Sequence, residues 1–494
     1  MRDVLPFALV LLVLSGPALP PAAALEPPDF LSFFVDKTMR VDTYHTGSAK
    51  EELVTLDRVL VQGTWAGSLT RLLDPFDNGQ YVAKVFEAAT GKLLFSRGYD
   101  SYFGEYQTTD AALKGIARTY HESVLIPCPK ARIVFALESR DRKGVLRPLF
   151  RTEIDPGAVT VLRKPLDAGV KIFELVKSGD PHRKADIAFI AEGYTLKEEP
   201  KLKADLDRFV RIFFSQEPYK SLKDRFNLYG VFRPSDESGC DEPAYGSFKN
   251  TAVGATFDSL GSDRYILTEE NRRLRDIAAH APYDGLFIMV NHARYGGGGI
   301  YNAYCTFTAD SEWHAYLFLH EFGHSFSGLA DEYYTSSVAY NEFYPRGVEP
   351  SEPNITALLD PAALKWKALV TPGTAVPTPW EKAVFDAKDM AYQKVRQETN
   401  GRIARLKRSG APAAEIAKAE SESDRLSREQ ARWVDGFLAG SRFAGKIGAF
   451  EGAGYSATGL YRPAVDCLMF TKGAKPFCKV CEEAVRQRIA FYTD

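Results

Sequence analysis

Apolar residues along this chain follow two rhythms. Between residues 30 and 161, short runs alternate apolar with polar positions and are broken by turns, as in MRVDTYHTG, QYVAKVFEAATGKLLFSRGYD and ARIVFALESRD. Alternation of period two predicts half-buried strands, and Thr90-Gly91 between two apolar runs predicts a hairpin. The stretch is expected to fold as a β-sandwich. After a polar segment at 162–184 the rhythm changes. Residues 186–191 (DIAFIA), 226–232 and 285–290 read as buried strands. Between them, 197–214 carries Leu202, Leu206, Phe209, Val210 and Phe213 at helical spacing, and 269–279 reads as another helix. Strands alternating with helices predict a mixed α/β core. The fold class expected is therefore α+β and multidomain, with an N-terminal β-sandwich over residues 25–165 and a second, α/β domain over 166–494. Within the latter, residues 381–432 are densely charged with both signs interspersed and are interrupted by SGAP at 409–412. They predict an inserted helical hairpin that is mostly solvated surface. The glycine run in YGGGGI, residues 295–300, predicts a loop; no Gly-Lys-Ser/Thr follows, so it is not a phosphate loop.

The first residues bear on location. Arg2 precedes an apolar run at 5–14 (LPFALVLLVL), and proline and small residues follow up to Ala24. This pattern predicts a secretory leader, residues 1–24, cleaved near Ala24, and a protein exported to the periplasm or beyond the cell. The run is too short to span a bilayer, and no other stretch suggests stable membrane insertion. With 62 basic and 64 acidic side chains among 494 residues, the chain has no electrostatic footprint for nucleic acid. Nothing in the sequence speaks to its oligomeric state. Export makes its six cysteines potential disulfide formers. Cys478 and Cys481 have CxxC spacing, but no second CxxC completes a four-cysteine metal site. A structural bridge is the expectation, with Cys467 an equally good partner for either.

Chemistry concentrates at residues 320–324, HEFGH, on an apolar-rich helical stretch. Histidines at i and i+4 share one helix face, so His320 and His324 can reach a single zinc ion (Zn2+). Glu321 lies about 100° around the helix, close enough to a water acidified by the metal to take its proton without being a ligand. Zinc needs a third protein ligand. Gly328 can end the helix in a left-handed conformation and turn the chain back beneath the metal. Asp331 is then well placed, with Glu332 the alternative. Downstream, Met469 follows a glycine-rich stretch and precedes a last helical segment. An oxyanion formed during acyl transfer needs a further donor. Tyr455, Tyr461 and Arg462 are the candidates, with Tyr295 and Tyr301 weaker ones. In metzincin-like folds, which this pattern resembles, the strand near this position pairs with extended substrate, and residues 300–307 are the expected counterpart here.

HEFGHSFSGLADEYY, together with YGGGGIYNAY, FEGAGY, YRPAVDCLM and FCKVC, resembles the IgA peptidase family of zinc metalloendopeptidases. RVDTYHTG resembles the start of that family's N-terminal domain, and ADIAFIAEGYT resembles the first strand of its catalytic domain. The resemblance implies a metzincin-like zinc-protease domain in which His320, His324 and Asp331 bind zinc. It further implies that Glu321 is the catalytic base, Met469 a Met-turn floor, and a protein or peptide the substrate. Two departures are Ser327, where a second glycine is expected, and the enlarged 381–432 segment. Nothing in the sequence points to immunoglobulin as the substrate. Two other function classes stay open: an inactive relative serving as an extracellular binding protein, and a zinc hydrolase acting on non-peptide amides.

Overall fold

A computed structural model describes residues 28–335 and 343–493; the expected leader, residues 1–24, lies outside them. Eight strands come first: β1 (Phe34–Gly47), β2 (Glu52–Val61), β3 (Tyr81–Glu87), β4 (Leu93–Tyr99), β5 (Arg118–Pro129), β6 (Ile133–Arg140), β7 (Leu146–Ile154) and β8 (Val161–Leu162). They form two four-stranded sheets, ordered β5-β1-β2-β8 and β4-β3-β6-β7. Met39, Val41, Val85, Phe95, Ile126 and Phe135 fill the core between them. β1 is buried on both faces, which explains its polar interior. Arg40, Asp42 and Tyr44 alternate with the core residues and look toward the rest of the chain. There Arg40 pairs with Asp276 at 2.8 Å and the Tyr44 hydroxyl accepts from Arg272 at 2.5 Å.

The second unit is built on a six-stranded sheet. Its strands are β9 (Lys171–Lys177), β10 (Ala185–Glu192), β11 (Phe226–Phe232), β14 (Gly285–Val290), β15 (Gly297–Ile300) and β16 (Tyr304–Thr308), in the order β15-β16-β14-β10-β11-β9. A two-residue pair, β12 (Ala255–Thr256) and β13 (Leu267–Thr268), stands apart. The four middle strands run parallel, and the outer two antiparallel to their neighbours. Every residue of β10, β11, β14 and β16 is buried, as continuous apolar runs in a sheet covered on both faces should be.

Short helices α1 (Phe30–Phe33), α2 (Tyr102–Tyr106) and α3 (Asp110–Leu113) belong to the first unit. Of the longer ones, α4 (Glu199–Phe213), α6 (His314–Ser327) and α9 (Lys479–Thr493) share one core with the sheet. Phe287 of β14 stacks on Phe318 and Phe322 of α6, with centroids 4.6 and 4.7 Å away. α5 (Asn271–Ala278) lies in the other core, into which Tyr102, Phe103 and Tyr106 of α2 also pack. The two units are thus interlocked rather than tethered. Among the described residues no helix is long and apolar enough to cross a membrane.

Two expectations need correction. The glycine run is not a loop: Gly297, Gly298 and Gly299 belong to edge strand β15. The charged segment forms two helices, α7 (Lys382–Arg408) and α8 (Ala413–Ala439), most of whose residues are at least partly exposed, with a few anchoring the pair to the body. Phe385, Val434 and Leu438 enter the main core, and Asn400 donates to Asp263 at 2.7 Å. No disulfide is present at Cys478 or Cys481, since all six cysteines are free. After α8, a hairpin of β17 (Phe450–Ala453) and β18 (Ser456–Arg462) returns toward α6.

Candidate metal centre and cleft

α6 places His320 and His324 one turn apart, and it ends where its sequence demands. Gly328 adopts φ 64°, and its N–H reaches back to the His324 carbonyl at 2.9 Å, closing a left-handed C-cap, while the Leu329 N–H donates to the Gly323 carbonyl at 3.1 Å. The chain then runs back so that Asp331 faces both histidines. Asp331 Oδ1 lies 3.0 Å from His320 Nε2 and 3.2 Å from His324 Nε2, and the two Nε2 atoms are 3.2 Å apart. A tetrahedral zinc with ligands at about 2.0–2.1 Å would space them by about 3.3 Å.

The ring tautomers follow from the other nitrogens. His320 Nδ1 donates to the Leu468 carbonyl at 3.1 Å and His324 Nδ1 to the Leu329 carbonyl at 2.5 Å. Both Nε2 atoms therefore turn lone pairs toward a buried Asp331 Oδ1 that has no hydrogen-bond donor. Three lone pairs at 3 Å separation require a cation between them, either a proton or a metal ion. The electrostatics say the same. Burial lowers the His324 imidazole, but Asp331 outweighs it and carries the group up to about 9. Burial raises the Asp331 carboxyl, but His324 and His320 hold it well below its ordinary range. Residues with this donor set fit a zinc ion.

Glu321 stands outside that convergence and lies against β15. A Cβ on Gly297 would meet its Cγ at 3.0 Å, and one on Gly299 would meet the Glu321 carbonyl at 2.6 Å. The glycines thus let the edge strand approach the helix that carries the histidines. Burial, only partly offset by His320 and His324, raises the Glu321 carboxyl above its ordinary value. Beneath the helix, Met469 is fully buried in a turn, and its sulfur would lie 2.9 Å from a Cβ on Gly323.

Comparison with protein families matches the model described as IgA Peptidase M64 over residues 173–489, and that described as Peptidase M64 N-terminus over 29–151. The chain belongs to the IgA peptidase M64 family. A comparison with curated proteins returns no match. Membership makes the protein a peptidase, and so a hydrolase acting on protein or peptide.

Seven tyrosines are among the residues lining the M64 cleft: Tyr265, Tyr295, Tyr301, Tyr316, Tyr333, Tyr344 and Tyr455. The oxyanion candidates fare unequally. Tyr455 is at the cleft, held at φ 64°, but its hydroxyl donates to Asp331 Oδ2 at 2.6 Å. Its hydroxyl is therefore committed to Asp331. Tyr461 and Arg462 do not line the cleft. Arg462 is wholly buried over the Phe470 ring and donates to the Gly452 carbonyl at 2.6 Å, and Tyr461 is tied to Thr356 by backbone hydrogen bonds. The Tyr301 hydroxyl is engaged by Arg488, and Lys472 sits over the Tyr295 ring.

Sequence reasoning missed Arg264 and Tyr333. Arg264 donates to the Tyr333 hydroxyl at 3.3 Å at the cleft wall. Tyr333 sat visibly in the DEYY run, whereas Arg264 carries no local signal. Asn78, Asp100 and Glu105 of the N-terminal unit line the same cleft, so that unit helps to shape the site. The strand expected to pair with substrate also shifts. β16 is flanked on both sides, by β14 and β15, and β15 is the edge. Glu332, the alternative third ligand, points the opposite way from Asp331, as neighbours in an extended segment do.

Proposed function

We propose that this M64 peptidase is a secreted zinc endopeptidase, with zinc held by His320, His324 and Asp331 in a metzincin-like catalytic domain. The observation that carries the reading is the convergence of those three ligand atoms on a cleft wall beside Glu321. Gly328, turning the chain back beneath the helix, and Met469, buried below it, support the metzincin-like assignment. The leader pattern of residues 1–24 supports secretion.

Zinc, when bound here, supplies Lewis-acid polarisation of the scissile carbonyl and acidifies a water molecule. Glu321 takes the proton of the attacking water and delivers it to the leaving amine. Its buried setting, which favours the protonated form, suits it to the second of these tasks. Tyr333, with Arg264 behind it, is the donor best situated to stabilise the oxyanion. Tyr455 and the carbonyls of Leu468 and Leu329 hold the ligands in orientation. An extended peptide would lie along β15. The backbone groups of Gly297 are taken by Arg264 and Ile266, so Gly299, next along that edge, is where substrate pairing would occur.

Incubating casein or a peptide library with the purified mature protein tests the reading. Internal bonds should be cut, with cutting lost to a chelator and regained on adding zinc. Peptides left intact in the presence of zinc would refute it.

A further inference from the structure

A second convergence lies behind the first. Glu332, Cys467, Cys478 and Cys481 bring a carboxylate and three thiols together deep in the core, their ligand atoms all within 4.8 Å of one another. Cys467 Sγ and Cys481 Sγ are 3.7 Å apart. A disulfide would need about 2.05 Å, whereas thiolates on one tetrahedral zinc at about 2.3 Å sit about 3.8 Å apart.

The surroundings favour thiolates. The Cys478 N–H donates to Cys467 Sγ at 3.2 Å. Cys478 immediately precedes α9 and Cys481 lies in its first turn, where unpaired amides and the helix dipole favour negative charge. Glu332 provides an independent pointer. Its Oε2 is buried without a hydrogen-bond partner, while Oε1 accepts from Asn354 Nδ2 and Cys481 Sγ, each at 3.1 Å. Another grouping, Asp42, Asp57 and His121, needs no ion, because Arg40, Arg58 and Arg272 already pair with its carboxylates.

We propose that Glu332, Cys467, Cys478 and Cys481 form a second, closed metal site that binds zinc and is structural. Four protein ligands leave no open position for a substrate or water, as structural zinc sites require. Binding expels the thiol protons to solvent. Its place in the fold gives it a task. Glu332 adjoins Asp331, and its N–H donates to the Met469 carbonyl at 2.9 Å. Cys467 adjoins Leu468, whose carbonyl holds His320 Nδ1. A metal here ties together the two segments that orient the catalytic ligands.

The test is zinc stoichiometry in the full chain. The wild type should carry two equivalents. The double variant His320→Ala/His324→Ala, which leaves every cysteine in place, should keep one. Replacing that remaining ion with cobalt should give an intense near-ultraviolet thiolate-to-cobalt band. Cys478→Ser should lose one equivalent and weaken the other centre's hold on zinc about 10-fold or more. Denatured, unreduced protein treated with a chelator should titrate six thiols. Four thiols, meaning a disulfide, or a metal-free histidine variant would overturn the proposal. Neither outcome bears on peptide cleavage, so the two readings fail separately.

Discussion

Asp331 and Glu332 are adjacent in the chain and serve opposite surroundings. Asp331 joins two imidazoles on the wall of an open cleft, whereas Glu332 joins three thiols in a sealed core. The difference is one of access and of ligand chemistry. Nitrogen and oxygen donors with a side exposed to the cleft leave room for a substrate, and a closed sulfur-rich set does not. A third place shows what happens when a histidine meets carboxylates with no second nitrogen to contend with. His45 Nδ1 and Nε2 lie 2.9 Å from Glu122 and Glu52, so a protonated ring satisfies both without an ion.

Separate substitution of the two neighbours should break the comparison most visibly. Asp331→Ala should cost the cleft its zinc and the protein its activity together. The loss in affinity should exceed the roughly 10–100-fold typical of removing a mere supporting hydrogen bond. Glu332→Ala should release the thiolate-held ion and lower the melting temperature, while peptide cleavage persists at saturating zinc. Metal analysis of both variants decides; if Glu332→Ala alone empties the cleft, the ligand assignment is wrong by one residue. Tyr455→Phe removes only the hydroxyl that braces Asp331 Oδ2, so zinc affinity should fall within that 10–100-fold range. An unchanged affinity in a chelator competition would reduce Tyr455 to a packing residue.

His45 sharpens the contrast at the smallest scale. Burial lowers its imidazole, but Glu122, followed by Glu52, outweighs that and carries it from 6.5 to about 9. A folded-state value raised in this way stabilises fully below about pH 6.5 and is lost as pH rises through about 9. The contribution near neutrality is on the order of 2 kcal/mol. Urea melts should therefore show the wild type losing more stability between pH 7 and 10 than His45→Gln does, regardless of chelator. Parallel pH profiles would remove the buried ion pair from the account.

The parts visible in the sequence are those written in local patterns. Apolar runs mark β10, β11 and β14, four-residue spacing puts His320 and His324 on one face, and Gly328 marks the end of their helix. What stayed hidden depends on distant contacts. Glycine is a poor strand former, so Gly297 to Gly299 read as a loop until α6 supplied the reason for having no side chains there. Arg40 and Tyr44 of β1 carry no local sign of their partners, Asp276 and Arg272, which lie more than two hundred positions away. Arg462 resembled a site residue because it is an arginine in the segment that carries Met469, yet its guanidinium serves carbonyls and an aromatic ring in the core. The thiol cluster eluded spacing rules because its fourth ligand is a glutamate far upstream.

Glu321→Gln tests the central claim most directly, with zinc content and kcat/KM for one peptide measured on the same preparation. The account predicts unchanged zinc, because no ligand is altered, with kcat/KM lower by about 10²–10⁴-fold, because proton transfer is lost. A variant that cleaves at the wild-type rate, or one that loses the cleft's metal, would contradict the division between ligands and base on which the account rests.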